Sequence, residues 1–302
     1  MADQDRWIAV CGATGRQGGA VTRALLAQGW RVRALTRRPN NERARDLRRI
    51  GAEVTSADME DPVSLRDSFD GVYGVFSVQN GLANGFDREV IQGRNVATAA
   101  KQSGVSHLVY ASAGTGARDT GVPSWDAKIQ VEDHMKRQGL PFTSLRPQAL
   151  MELMTEKSYY PQLGTWNIWP RIYGDNRPVP WMAVEDVGLI AAAVFAGTNR
   201  YAGQSLVLVG DVQSLAQCRD IYRGVIGKYP RSFPVPIWLF DRFTRGDVTA
   251  IWRYAANGEV PLDTTATQAI HPNPLSVRQW LMKTCDRQVG LTEDQQGGRR
   301  GT

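Results

Sequence analysis

Cysteine and histidine are scarce in this chain of 302 residues, three of each. Cys11, Cys218 and Cys285 stand far apart, with no paired spacing to read as a disulfide frame or a structural zinc site. His107, His134 and His271 are as scattered, so no metal is expected. No run approaches the roughly 18 apolar residues that a membrane span needs. The opening Met-Ala-Asp-Gln-Asp-Arg carries acid and lacks the apolar core of a signal peptide. A soluble protein in the cytoplasm is expected, with no membrane partner.

What is present is ordinary globular material. Hydrophobic residues make up 42% and charged residues 22%, a balance that argues against disorder and for one large or two modest domains. The net charge is +6, and much of the excess crowds one stretch: Arg31, Arg33, Arg37, Arg38, Arg43, Arg45, Arg48 and Arg49. Part of that crowd reads as a solvated helix face. No nucleic-acid recognition motif accompanies it, so no nucleic acid is expected.

The first 147 residues alternate between short apolar runs and helical patterns. Strands are expected at Trp7 to Cys11, Arg31 to Leu35, Glu53 to Thr55, Gly71 to Val78, His107 to Ala111 and Phe142 to Leu145. Helices follow the glycines at 12–19 and fill 42–50, Pro62 to Phe69, Asp87 to Ser103 and Ala127 to Gln138. This alternation predicts an α/β fold: a Rossmann, doubly wound parallel sheet with right-handed crossovers. After Pro147 the pattern breaks into a segment rich in aromatics, methionine and proline. A helix returns at Val184 to Ala196, then a strand at Ser205 to Val209 and a helix near Leu215 to Ile226. Residues 230–284 read as irregular apart from a closing helix near Leu275 to Met282. The expected division is a nucleotide-binding domain over 1–150, rejoined by 183–212. A smaller mixed C-terminal substrate lobe takes 151–182 and 213–290, and 291–302 form a disordered tail.

Gly12-x-x-Gly15-x-x-Gly18 falls between the first strand and the first helix. There the first glycine permits a tight turn, the second lets backbone approach a pyrophosphate, and the third lets helix pack close to strand. The free N–H groups of the helix terminus complete an anion site. Thr14, Arg16 and Gln17 lie between these glycines and are read as cofactor contacts with Gly12, Gly15 and Gly18. An acid at the end of the second strand would take a ribose 2′-hydroxyl, whereas a basic residue suits a 2′-phosphate. The sequence has Thr36-Arg37-Arg38 there, so Arg37 points to NADP(H). Asp58 and Met59, after the third strand, are expected to flank the adenine. Gln79 and Asn80, after the fourth, are expected along the cofactor path.

The segments Gly-Ala-Thr-Gly-Arg-Gln-Gly-Gly (12–19), Gly-Val-Phe-Ser-Val (74–78), Gly-Leu-Pro-Phe-Thr-Ser-Leu-Arg-Pro (139–147) and Trp-Met-Ala-Val-Glu-Asp-Val-Gly (181–188) resemble those of the NmrA-like family of atypical short-chain dehydrogenase/reductases. The resemblance covers roughly Trp7 to Leu281. It implies a Rossmann fold and NADP(H), and leaves the reaction open between reductases and non-catalytic cofactor sensors. Short-chain reductases place a Ser after the fifth strand and a Tyr-x-x-x-Lys on the next helix, the Tyr moving the proton and the Lys binding the ribose. By that resemblance Ser112 and Lys128 are the catalytic candidates. The position four before Lys128 is Ser124 rather than Tyr, which puts carbonyl reduction by the usual route in doubt. Reduction of a quinone, enone, imine or dye needs mainly stacking and orientation. Trp125, Met151 and Trp166 are expected to line the pocket for such a substrate, with Tyr159, Trp169 and Trp181 as further candidates for its wall. The expected function is NADPH-dependent reduction of an apolar conjugated or aromatic small molecule. The alternative is a redox sensor that acts through a protein partner.

Overall fold

A computed structural model describes residues 6–155, 162, 164–258 and 260–286. The chain runs β1 (Trp7–Val10), α1 (Arg16–Ala27), β2 (Arg31–Thr36), α2 (Glu42–Arg49), β3 (Glu53–Ser56), α3 (Pro62–Phe69), β4 (Gly74–Ser77), α4 (Gly81–Asn84), α5 (Phe86–Gln102), β5 (His107–Ala111), α6 (Pro123–Arg137) and β6 (Phe142–Pro147). It continues through β7 (Ala149–Leu150), α7 (Trp169–Tyr173), β8 (Pro178–Met182), α8 (Val184–Ala196), α9 (Thr198–Tyr201), β9 (Ser205–Leu208), β10 (Asp211–Ser214), α10 (Leu215–Ile226), α11 (Ile237–Thr244), α12 (Asp247–Asn257) and α13 (Thr265–Gln268). A closing helix, α14, spans 277–286.

Seven strands form one sheet in the order β3-β2-β1-β4-β5-β6-β9, and every neighbouring pair is parallel. Helices cover both faces, so β1, β4 and β5 read as continuous apolar runs rather than alternating ones. On one face α1 and α8 bury Val21, Leu25, Val187 and Ile190 against the sheet. On the other, α3, α5 and α6 bury Leu65, Val96 and Val131. The strand order reverses between β1 and β4, and a crevice opens at such a switch point beyond the carboxyl ends of the strands.

The contact between α1 and α8 depends on Gly188, the last residue of the 181–188 segment. A Cβ there would stand 2.7 Å from the carbonyl carbon and oxygen of Ala20. Gly188→Ala would gain about 1 kcal/mol of helix propensity but must force two backbones apart at about 1–3 kcal/mol. A net destabilisation of up to about 2 kcal/mol is expected, read as a lower denaturant midpoint. An unchanged or higher midpoint would refute the tight contact.

The second part of the chain departs from the sequence expectation in two places. First, Pro178-Val-Pro-Trp-Met is the central strand of a small sheet, β10-β8-β7, antiparallel to β10 and parallel to β7. Two prolines hide it in the sequence. The fold tolerates Pro180 because β7 pairs only with Trp181 and Met182, so the proline faces no partner on that edge. Second, the stretch expected to be irregular holds α11, α12 and α13. Phe240, Thr244, Val248 and Trp252 are buried at four-residue spacing across α11 and α12, a helical stripe that Pro230, Pro234 and Pro236 mask. These helices and the small sheet enclose a core of their own, with Met151, Trp166, Trp169, Trp181, Leu215 and Trp252. Residues 291–302, expected as a disordered tail, lie outside the described residues.

Candidate functional site

The glycine turn has the predicted geometry. Gly12 takes φ +64°, the left-handed region that a side chain disfavours. Its carbonyl accepts from Gly15 N–H at 2.8 Å. A Cβ on Gly18 would lie 2.3 Å from that same carbonyl oxygen, so only glycine lets α1 approach the turn. Gly15 caps α1 with no side-chain bond, whereas Asn41 and Asp61 cap α2 and α3. The first N–H groups of α1 therefore lack a side-chain partner at their terminus, the arrangement that suits an anion.

A cleft of about 340 Å³ opens beside this turn, lined by Gly12, Thr14, Arg37, Arg38, Asp58 and Met59 among others. Arg37 and Arg38 are exposed at the end of β2, free to meet a phosphate. Arg43, counted in the sequence only as part of a charged helix face, donates from α2 to Thr14 O at 3.3 Å. Asp58 accepts from Glu60 N–H and shapes the turn after β3. Gln79 is buried at the end of β4, and its Nε2 donates to Ser77 Oγ at 2.9 Å and lies 3.5 Å from Met59 Sδ. Gln79 Oε1 and Gln17 Oε1 are buried without a hydrogen-bond partner among the described residues, and Asn80 caps α4. Arg16 opens the first turn of α1. Glycine cradle, exposed arginines and two orphaned amide oxygens all fit a dinucleotide at this edge. Cys11 also lines the cleft, but burial pushes its thiol up to about 12, and it is inert at neutral pH.

Two strands further along the same edge, about 10 Å in sheet spacing, stands Lys128. Its Nζ donates to Glu89 Oε1 at 2.7 Å and to Ala111 O, the last carbonyl of β5, at 3.0 Å. The lysine side chain is 11% exposed and the glutamate 2%. Sequence reasoning passed over Glu89. A signal was there, because this acid falls in phase with Gly93, Val96 and Ala100 on the buried face of α5.

Ser112 does not offer its hydroxyl to the crevice. It donates to Glu132 Oε1 at 2.7 Å, and the other oxygen of Glu132 takes Arg146 Nη2 at 2.6 Å. All three are buried. Ser124, Lys128 and Glu132 recur every four residues and so share one face of α6. The helix begins at Pro123 rather than 127 because proline suits its first turn, which brings Ser124 and Trp125 onto it.

The three expected pocket residues are all buried. Trp125 is 9% exposed, lies against Gly114 and meets the ring edge of Tyr254 with centroids 5.2 Å apart. It joins α6 to α12. Met151 and Trp166 are buried in the second core, where Trp166 Nε1 donates to Met154 O. Trp169 stacks on Trp252 at 5.2 Å and lies 5.3 Å from Trp181. The small sheet and its helices need an interior, and these rings help fill it. Tyr159 lies outside the described residues. His134 bonds Thr98 and Gln138 on the far side of α6.

The parallel sheet, the glycine turn and the crevice at the strand ends define a Rossmann-type fold with an appended lobe. The model of the NmrA-like family matches residues 4–271, and the chain belongs to that family. It is 32% identical over 249 residues to the NmrA-like family domain-containing oxidoreductase himF of Aspergillus japonicus, covering 74% of each chain. It is 30% identical over 263 residues to the oxidoreductase FrzB of Cladobotryum sp, covering 78% of each. Among solved structures, the negative transcriptional regulator NmrA in complex with NADP superposes with a TM-score of 0.75 at 21% identity, over 93% of this chain and 95% of that one. Citrobacter sp. triphenylmethane reductase complexed with NADP(H) gives 0.73 at 22%, over 92% and 99%.

Proposed function

We propose that this chain is an NADPH-dependent reductase of an apolar conjugated or aromatic small molecule. The observation that carries the reading is Lys128, an ammonium fixed at the carboxyl end of β5 on the edge where the glycine turn opens the cofactor cleft. Gly12, Gly15 and Gly18 with the α1 terminus would hold the pyrophosphate, and Arg37, backed by Arg38, the 2′-phosphate. Asp58 and Met59 would border the adenine, and Lys128 the nicotinamide ribose. The bound cofactor supplies hydride. The chain's part is to orient that cofactor and to set acceptor and proton beside it. Ser112 acts through Glu132, as a positioning residue for the strand end that Lys128 touches. Oxidoreductase relatives and the name of the dye reductase support this substrate class.

The test is NADPH oxidation against quinones, enones, imines and triphenylmethane dyes, with cofactor affinity measured by fluorescence on the same samples. Arg37→Ala is expected to weaken NADPH by on the order of 10- to 100-fold through loss of a charge-assisted bond, and to leave NADH affinity unchanged. Equal losses for both cofactors would remove Arg37 from the 2′-phosphate. The buried hydroxyl of Ser112 favours a second reading, a non-catalytic NADP(H) sensor. Tight NADPH binding with no oxidation across the panel would select it.

A further inference from the structure

The first turn of α6, the helix that carries Lys128, leaves one backbone donor open. Pro123 has no N–H, and the N–H groups of Trp125 and Asp126 both reach Val122 O at 3.0 Å. Ser124 N–H remains, a donor that an N-cap side chain ordinarily takes. Val122 occupies the cap position in extended backbone, and its side chain has no acceptor. The acceptor comes from the other lobe, 123 residues away: Asp247 Oδ1 takes Ser124 N–H at 2.8 Å. Asp247 is 3% exposed and opens α12. Two turns on, the ring of Tyr254 meets Trp125.

The turn that delivers Asp247 also touches α5. Arg245 and Gly246 both take left-handed backbone, with φ +55° and +71°, a conformation unfavourable for arginine that persists where its surroundings hold it. The Arg245 guanidinium lies against the start of α5, where a Cβ on Gly85 would stand 3.1 Å from its Nη1. One turn of the second lobe therefore meets the first residues of both α5 and α6. Those helices supply the buried pair, Glu89 from α5 and Lys128 from α6, each one helical turn past the contact.

We propose that the α11–α12 turn is a clamp on the Glu89–Lys128 pair, and that Asp247 is its positioning residue, the N-cap that α6 lacks. Asp247 moves no proton and touches no reacting atom in this role. It fixes the first turn of α6, and Lys128, one turn on, keeps its place at the carboxyl end of β5. With that turn frayed only a fraction of molecules could hold the cofactor, and affinity falls by that fraction. Such coupling is reciprocal, so bound NADPH holds the second lobe more firmly through the same bond. The inference rests on the placement of the cofactor ribose at Lys128 proposed above, and it applies to a reductase and a sensor alike.

The test uses the full chain, with amide hydrogen exchange and NADPH affinity by fluorescence read on the same samples. In the cofactor-free protein Asp247→Ala should speed exchange of Ser124 N–H. Asp247→Asn keeps an oxygen for that donor and should leave exchange slow. Asp247→Ala should weaken NADPH about 5-fold, the size of a lost helix cap, and Asp247→Asn should bind within about 2-fold of the wild type. NADPH should slow exchange along α12 in the wild type, a response lost in Asp247→Ala. A lower unfolding midpoint in Asp247→Ala with NADPH affinity unchanged would overturn the clamp and leave Asp247 a lobe contact. If Asp247→Ala does not fold, the wild type decides: NADPH that binds without slowing α12 overturns the clamp. No NADPH binding by the wild type, or undiminished binding in Lys128→Ala, would instead overturn the cofactor placement, and Ser124 exchange would still report the cap.

Discussion

Glu132→Ala is expected to cost about 3–5 kcal/mol of folding stability, the loss typical of a buried ion pair stripped of one partner. Glu132 is 1% exposed and answers both Arg146 and Ser112. Without it the Arg146 guanidinium stays inside the protein, where its Nε already lacks a partner. It has little room to leave, since a Cβ on Gly116 would stand 1.9 Å from its Nη1. The check is urea unfolding of Glu132→Ala, Arg146→Met and the double variant. Each single change should be severe, and the double variant should recover part of the loss, because a neutral pair leaves no charge stranded. A loss below about 1 kcal/mol in Glu132→Ala, the size of a surface pair, would show that the network carries little. Part of Arg-Pro in the 139–147 segment is thereby a structural requirement: Arg146 anchors the end of β6 to α6.

Lys128→Ala should produce two losses that can be pulled apart. The first is structural. Glu89, 2% exposed, is left without its cation, again at about 3–5 kcal/mol. The second is functional, with NADPH oxidation falling by on the order of 100-fold as the ribose contact proposed for Lys128 is removed. Adding Glu89→Gln to Lys128→Ala removes the stranded carboxylate, so stability should return while turnover stays low. The measurements are unfolding midpoints and kcat/KM on the same three proteins. If Glu89→Gln restores turnover together with stability, Lys128 is a structural lysine and the proposed role falls.

Lys128 illustrates how far the residues alone could lead. Its place on the helix after the fifth strand was enough to single it out once the resemblance to short-chain reductases was drawn, because strand, helix and residue interval are local properties of the chain. The same holds for the glycine turn, where Gly12, Gly15 and Gly18 act within seven residues, and for Arg37, whose place follows from where one strand ends. The parallel sheet was legible for a similar reason: strands buried on both faces are written as unbroken apolar runs. The limits of α8 and α10 fall where the periodicity stops.

Other features depend on partners far away along the chain. Glu89 meets Lys128 across 39 residues, Ser112 meets Glu132 across 20, and Asp247 reaches Ser124 across 123. No local pattern states which of several acids will face a given cation, so the role of Ser112 and the existence of the Asp247 contact appear only once the helices are packed. The aromatic residues after Pro147 show the same limit. A tryptophan buries the same apolar area against a ligand as against a neighbouring ring, so composition cannot separate a pocket wall from a core. The packing of α7, β8 and α12 sends Trp169, Trp181 and Trp252 inward, and Trp166 joins the same core. The sequence by itself determined the sheet, the glycine turn and the strand-end edge beside it, because short-range sterics and burial specify them. Tertiary structure alone decided which polar groups are paired and which aromatics are core, because those depend on which distant surfaces the folded chain brings into contact.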